Sequence, residues 1–233
     1  MIAIALTFGS GAADVASFTR LGGVFTSVMT GNIVLWGLAA ARGSLSLASH
    51  TAVSIGGYIV GVAGGTWIAH AVKDRAAPAQ ASDGRVLPAH VIWVLLAELA
   101  LLAGFTVGWE ICGASPDGWA QYILLATLAA AMGTQSSAVN DMGLTQVSTT
   151  YLTGTLTGLV SSLASPGQDM QHGLRRFGVL IGLVAGASLC GLFVATAADG
   201  VPALLLAAAI ITIVAATGWR WPRLRWPWLG RGA

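Results

Sequence analysis

Charge is what this sequence has least of. Acidic and basic residues make up 9% of its 233 residues, against roughly a quarter in ordinary soluble domains. So few polar groups cannot cover a water-facing surface, and a chain that is 55% hydrophobic reads as an integral membrane protein. The two cysteines, Cys112 and Cys190, form no metal or redox spacing, and Cys190 lies within an apolar run, which argues against a disulfide. His50, His70, His90 and His172 make no HxxxH or HExxH pattern, so no metal site is expected. The glycine runs lack the strand-then-helix setting of a nucleotide fingerprint, and no serine follows the GxSxG pattern. We therefore expect no cofactor and no enzymatic activity. Alternation in ten-residue segments is missing too, which argues against a barrel. The basic residues flank apolar segments, so the net charge of +2 gives no reason to expect a nucleic-acid partner. No cleavable signal peptide is evident. The chain opens directly in an apolar run, so the usual charged amino-terminal stub is expected to be missing.

What is present is a set of apolar runs of membrane length. They cover 2–18, 24–41, 48–72, 89–112, 119–139, 150–164, 177–197 and 201–219. Cytoplasmic loops are enriched in Lys and Arg. Lys73, Arg75 and Arg85 mark one loop as inside, Arg175 and Arg176 a second, and Arg220, Arg223, Arg225 and Arg231 the carboxyl end. Eight crossings would put the last two groups outside. Six crossings avoid this if 1–41 and 119–165 each cross once, as a spanning helix plus a half-helix that dips in and returns. The expectation is an all-α polytopic transmembrane bundle, six crossings plus two broken or re-entrant helices, in a 3+3 inverted repeat. The repeats would be 1–112 and 119–219, followed by a basic, Trp-rich cytoplasmic tail at 220–233. Trp36, Trp67, Trp93, Trp109, Trp119 and Trp219 fall at predicted helix ends, where indole rings favour the interface. The tail, WRWPRLRWPW, reads as an anchor on anionic lipid.

The two stretches that break the pattern are VFTSVMTGNIVLWG at 24–37 and VSTTYLTGTLTG at 147–158. A shift of 123 positions lays Leu21, Val24, Thr26, Thr30 and Gly31 on Leu144, Val147, Thr149, Thr153 and Gly154. Glycine is where a membrane helix can unwind, and a half-helix beginning there aims free N–H groups at whatever lies ahead. Paired interruptions in two halves point to a transporter site at the repeat interface. Gly57–Gly61 and Gly182–Gly186 have the small-xxx-small spacing of close helix packing, with 125 residues between the two pairs.

The run 11–37 also resembles the YoaK family of bacterial inner-membrane proteins, through Asp14, Ser17 and Phe18 followed by Met29, Thr30, Gly31 and Asn32. The resemblance implies a polytopic inner-membrane protein of the small-molecule permease kind. It brings no assigned ligand residues with it.

Carboxylates inside a membrane are costly and normally functional. Asp14, with Ser17 near its face, reads either as a proton or cation site or as a cap on amides freed at the Gly22–Gly23 break. Glu98, alone in VLLAELALL, could carry a proton or bond across to another helix. Gln135, Asn140 and Asp141 close the fifth run and give the second half a neutral counterpart to the Asp14 stretch. Thr30, Gly31 and Asn32, with Thr153, Gly154 and Thr155, are expected to grip an anion or a polar neutral solute. Together these residues predict alternating-access transport of a small polar or anionic solute, proton-coupled through Asp14 or Glu98. The protein would sit as a homodimer in the bilayer of the inner membrane, with both termini cytoplasmic. A passive channel and a non-catalytic assembly protein are the rival readings.

Overall fold

The computed structural model describes residues 2–75, 87–142, 152–164, 170–196 and 200–217. The 76–86 part of the linker, residues 143–151 at the start of the second Thr-Gly stretch, and the Trp-rich tail lie outside the described residues. The described residues form eight helices and no strand: α1 (Ile2–Arg20), α2 (Met29–Arg42), α3 (Leu45–Arg75), α4 (Ala89–Ile111), α5 (Gly118–Asp141), α6 (Leu152–Ala164), α7 (Met170–Thr196) and α8 (Val201–Thr217). Five of them, α1, α3, α4, α5 and α7, are long and apolar enough to cross a membrane. At 17 residues α8 is an apolar helix of about 25 Å, while α2 and α6, with 14 and 13 residues, fall well short of the ~20 needed.

The packing follows a reciprocal scheme. Helix α3 packs along α5 as α7 packs along α1, and α4 lies on α5 as α8 lies on α1. Helix α2 packs on α3 as α6 packs on α7, α3 meets α4 as α7 meets α8, and α1–α5 and α4–α8 close the centre. Exchanging α1–α4 for α5–α8 maps this set of pairs onto itself.

Glycines carry the close approaches. A Cβ at Gly61 would lie 2.0 Å from the Ala130 carbonyl oxygen, and one at Gly186 would lie 2.0 Å from that of Phe8. On the partner helices, Gly133 faces the Tyr58 carbonyl oxygen at 2.2 Å and Gly11 that of Leu183 at 2.3 Å. These contacts keep the 125-residue relation between α3 and α7. Between α1 and α5 they set it at 122, one less than the Thr-Gly alignment gave.

Helix α1 does not run on into α2. Gly22 and Gly23 take φ of +96° and +74°, a region that costs any residue with a Cβ, and the chain folds back along α1 before α2 begins. The first Thr-Gly stretch was expected to break at Gly31. The break falls earlier, at 21–28, and Gly31 sits in the first turn of α2 with its open side against the Phe25 ring, which a Cβ there would meet at 3.2 Å. One tryptophan, at the end of α4 as expected, differs from the others in its burial. Trp36, Trp67, Trp93 and Trp119 are exposed, but Trp109 is wholly buried. It lies on the α4 face formed by Val91, Val94 or Leu95, Glu98, Leu102 and Phe105, whose three-and-four spacing turns it into the core.

Candidate functional site in the bundle centre

Two apolar clusters fill the interior. One gathers Leu102, Phe105, Trp109, Leu125, Leu128, Met132, Leu205 and Ala209. The other, toward the Lys73 end, gathers Leu6, Val91, Val94, Leu95, Ala138, Val139 and Ala216. Between them lie buried polar residues of α1, α4, α5 and α8, among them Ser10, Glu98, Gln135 and Thr212. The Ser10 hydroxyl donates to Gln135 Oε1 at 2.8 Å, and Gln135 Nε2 donates to Glu98 Oε1 at 2.9 Å. Glu98, Gln135 and Thr212 line a void of about 10 Å³, room for a single water. A hydrogen-bonded chain thus crosses three helices at the level where the apolar clusters part. Its two walls differ: carboxyl and amide on α4 and α5, hydroxyls on α1 and α8.

Asp14 belongs to a different structure. Its Oδ1 accepts the backbone N–H groups of Thr26 and Ser27, both at 2.8 Å, and its Oδ2 accepts the Ser27 hydroxyl at 2.6 Å. Asn32 completes the clamp. Its Oδ1 accepts the Phe25 N–H at 2.9 Å, while its Nδ2 donates to the Phe25 carbonyl at 2.7 Å and to Ser54 Oγ at 3.0 Å. The Ser54 hydroxyl donates to the same carbonyl. These are the freed backbone groups of a broken helix, met by side chains because lipid offers no water to meet them. Asp14 and Asn32 therefore hold the fold-back at 21–28 to the level of α3's third turn. Ser17 is buried beside them and bonds back to the Asp14 carbonyl at 3.0 Å.

The remaining candidates are dispersed. Thr30, Thr153 and Gly154 are exposed and Thr155 is buried. Among the described residues helix α2 packs mainly on α3 and α6 mainly on α7, and the first part of the second Thr-Gly stretch lies outside them. Asn140 is exposed, and Asp141 pairs with Lys73 at 3.2 Å, with His90 Nε2 at 4.0 Å on its other oxygen. That cluster ties the ends of α3, α4 and α5. Sequence reasoning passed over Thr212 and Ser54. Thr212 carried a signal, being the lone hydroxyl in AAAIITIVAA; Ser54 carried none.

The comparisons with known proteins agree with the helical membrane architecture. The family model described as "Protein of unknown function (DUF1275)" matches residues 2–217. The UPF0700 transmembrane protein YoaK of Bacillus subtilis (strain 168) is 29% identical over 159 residues, which are 68% of this chain and 64% of that protein. The match therefore spans less than two thirds of that relative. No solved structure matches. Matched from its first described helix to its last, this multi-pass helical membrane protein belongs to the DUF1275 family, together with YoaK as a relative.

Proposed function

We propose that the protein carries a small polar solute across the membrane by alternating access, with Glu98 taking up and releasing a proton at the centre. One observation carries this reading: the Ser10–Gln135–Glu98 chain, buried between two apolar clusters beside a water-sized void. A carboxyl group at that depth is costly to keep for packing alone. The crossings are six, by α1, α3, α4, α5, α7 and α8, and the halves are inverted repeats meeting at the polar layer. The reciprocal packing supports this arrangement, as does the antiparallel pairing of α1 with α5 that joins Ser10 to Gln135 and Arg20 to Gln121. The basic loops then face the cytoplasm, with both termini, in the inner membrane. A carrier is favoured over a channel because the void is lined mostly by Ala, Leu and Met. The solute site must therefore open from a closed state.

The test is reconstitution of the full chain in vesicles carrying an internal pH dye, with pools of small polar metabolites added outside. The expected result is a proton movement that depends on one solute class, saturates, and supports counterflow. Glu98→Gln should abolish the proton signal. Solute flux that leaves internal pH unchanged in the wild type would remove Glu98 from the mechanism.

A further inference from the structure

The Arg20 end of the bundle is fastened by a chain of bonds through His50. The ring's Nδ1 faces the Ser46 carbonyl at 2.7 Å, and its Nε2 faces Gln121 Oε1 at 2.9 Å. Gln121 is held in that orientation because its Nε2 donates to the Arg20 carbonyl at 2.9 Å. Turning the amide over would set oxygen against oxygen. Both ring nitrogens therefore meet atoms that only accept. A neutral imidazole has one N–H and one bare lone pair, so it leaves one of these contacts repulsive. The doubly protonated ring satisfies both.

Two further contacts fit a cationic ring. His50 stacks on Tyr122 with centroids 4.3 Å apart, and an aromatic face attracts a cation. The Tyr122 hydroxyl is in turn bonded to Ser49 at 2.8 Å. The ring also fills the space beside Gly22, where a Cβ would lie 2.1 Å from it, so it bears directly on the fold-back after α1. Among the described residues, the titratable and charged groups joined to it by stacking or through Gln121 are Tyr122 on α5 and Arg20 on α1. The Arg20 guanidinium turns away to the Val194 carbonyl at 3.1 Å. Arg42 on α2, Glu110 on α4 and Asp117 ahead of α5 are exposed, and the two ring nitrogens bond to none of them.

We propose that His50 is a proton-operated tie between α3, α5 and the end of α1. With a proton on each ring nitrogen, it keeps Gln121 bonded to the Arg20 carbonyl. When Nε2 loses its proton, the Gln121 amide turns to donate to the ring, and the Arg20 carbonyl and the 21–28 turn are released. The tie holds at acidic pH and slackens as pH rises. This does not rest on the transport reading, because neither measurement below reads flux.

The experiment uses the full chain in lipid nanodiscs, with ¹⁵N-histidine and His50→Gln to assign the signal. At the acidic end of the pH series both His50 ring nitrogens should resonate as protonated, and at the alkaline end one should become bare. Amide exchange at 21–28, corrected for its intrinsic pH dependence, should be roughly fivefold faster at the higher pH, the size expected for losing one net hydrogen bond. Gln121→Leu should remove that ratio. A single neutral tautomer throughout, or an unchanged ratio in Gln121→Leu, overturns the proposal. Should Gln121→Leu fail to fold, the wild-type ring titration decides alone.

Discussion

A carboxyl group inside the hydrocarbon needs either partners or a proton, and the two buried acids among the described residues are furnished differently. Asp14 has partners enough: two backbone amides and two hydroxyls, all from the fold-back next to it. Asp14→Ala leaves buried amides unmet, at about 1–3 kcal/mol each. The expected result is a large fall in melting temperature and faster amide exchange at 21–28. Ser27→Ala, which removes one hydroxyl, should cost about 1 kcal/mol. An Asp14→Ala protein as stable as wild type would mean that the clamp contributes nothing. Glu98 has one amide partner and a void beside it. Glu98→Gln keeps the shape and a hydrogen bond to Gln135, so stability should stay within about 1 kcal/mol while proton-linked flux is lost. A melting temperature that falls as far as for Asp14→Ala would make Glu98 a packing residue. Both acids are conspicuous in the sequence as single charges within apolar runs. Their partners are not. Which polar side chain meets Glu98 depends on which helices touch, and no residue type encodes that alone.

At the level of helices, the sequence marks the glycines that allow close packing but not the faces they occupy. Gly61 and Gly186 each face a carbonyl of the neighbouring helix at a distance no Cβ tolerates, whereas Gly56 and Gly64, on the same helix as Gly61, face open space. Spacing alone treats all of these as equivalent. Alanine at Gly61, Gly133 or Gly186 must push two backbones apart, at about 1–3 kcal/mol for an overpacked contact. Alanine at Gly56 or Gly64 should be neutral or stabilise by up to about 1 kcal/mol, since it lowers the freedom of the unfolded helix. Thermal unfolding of the five single variants in one detergent checks this, and equal effects at Gly61 and Gly64 would contradict the packing. The end of α1 was legible in the same partial way. Gly22–Gly23 stood out as a break, but the Thr-Gly pair drew attention further on, to a glycine whose task is to make room for Phe25. A helix break needs positive φ and side chains that satisfy the freed amides, and only the first of these is visible in residue types.

For the whole molecule, the question is which ends face which side, and the bonds already fix which ends lie together. The Lys73–Asp141 pair and His90 gather the end of α3, the start of α4 and the end of α5. The His50–Gln121–Arg20 chain and the Arg20 bond to Val194 gather the start of α3, the start of α5 and the ends of α1 and α7. Helices of 23 residues or more separate the two sets, since α3, α4 and α5 each run from one to the other. The proposed arrangement places the Lys73 end in the cytoplasm, the side on which Lys and Arg are retained. Single cysteines in a background lacking Cys112 and Cys190 read this directly with a membrane-impermeant thiol reagent. Asp74→Cys should label only in inside-out vesicles, and Ser115→Cys and Thr196→Cys only in right-side-out ones. Asp74→Cys and Ser115→Cys labelling from one side would mean that α4 does not cross. Asp74→Cys and Thr196→Cys labelling from one side would bring α7's end to the Lys73 side and break the inversion of the halves. On the proposed transport reading, the antiparallel run of α1 and α5 through the polar layer gives solute two equivalent routes to Glu98, one along each half. In that reading only the unequal walls of the layer distinguish loading from release.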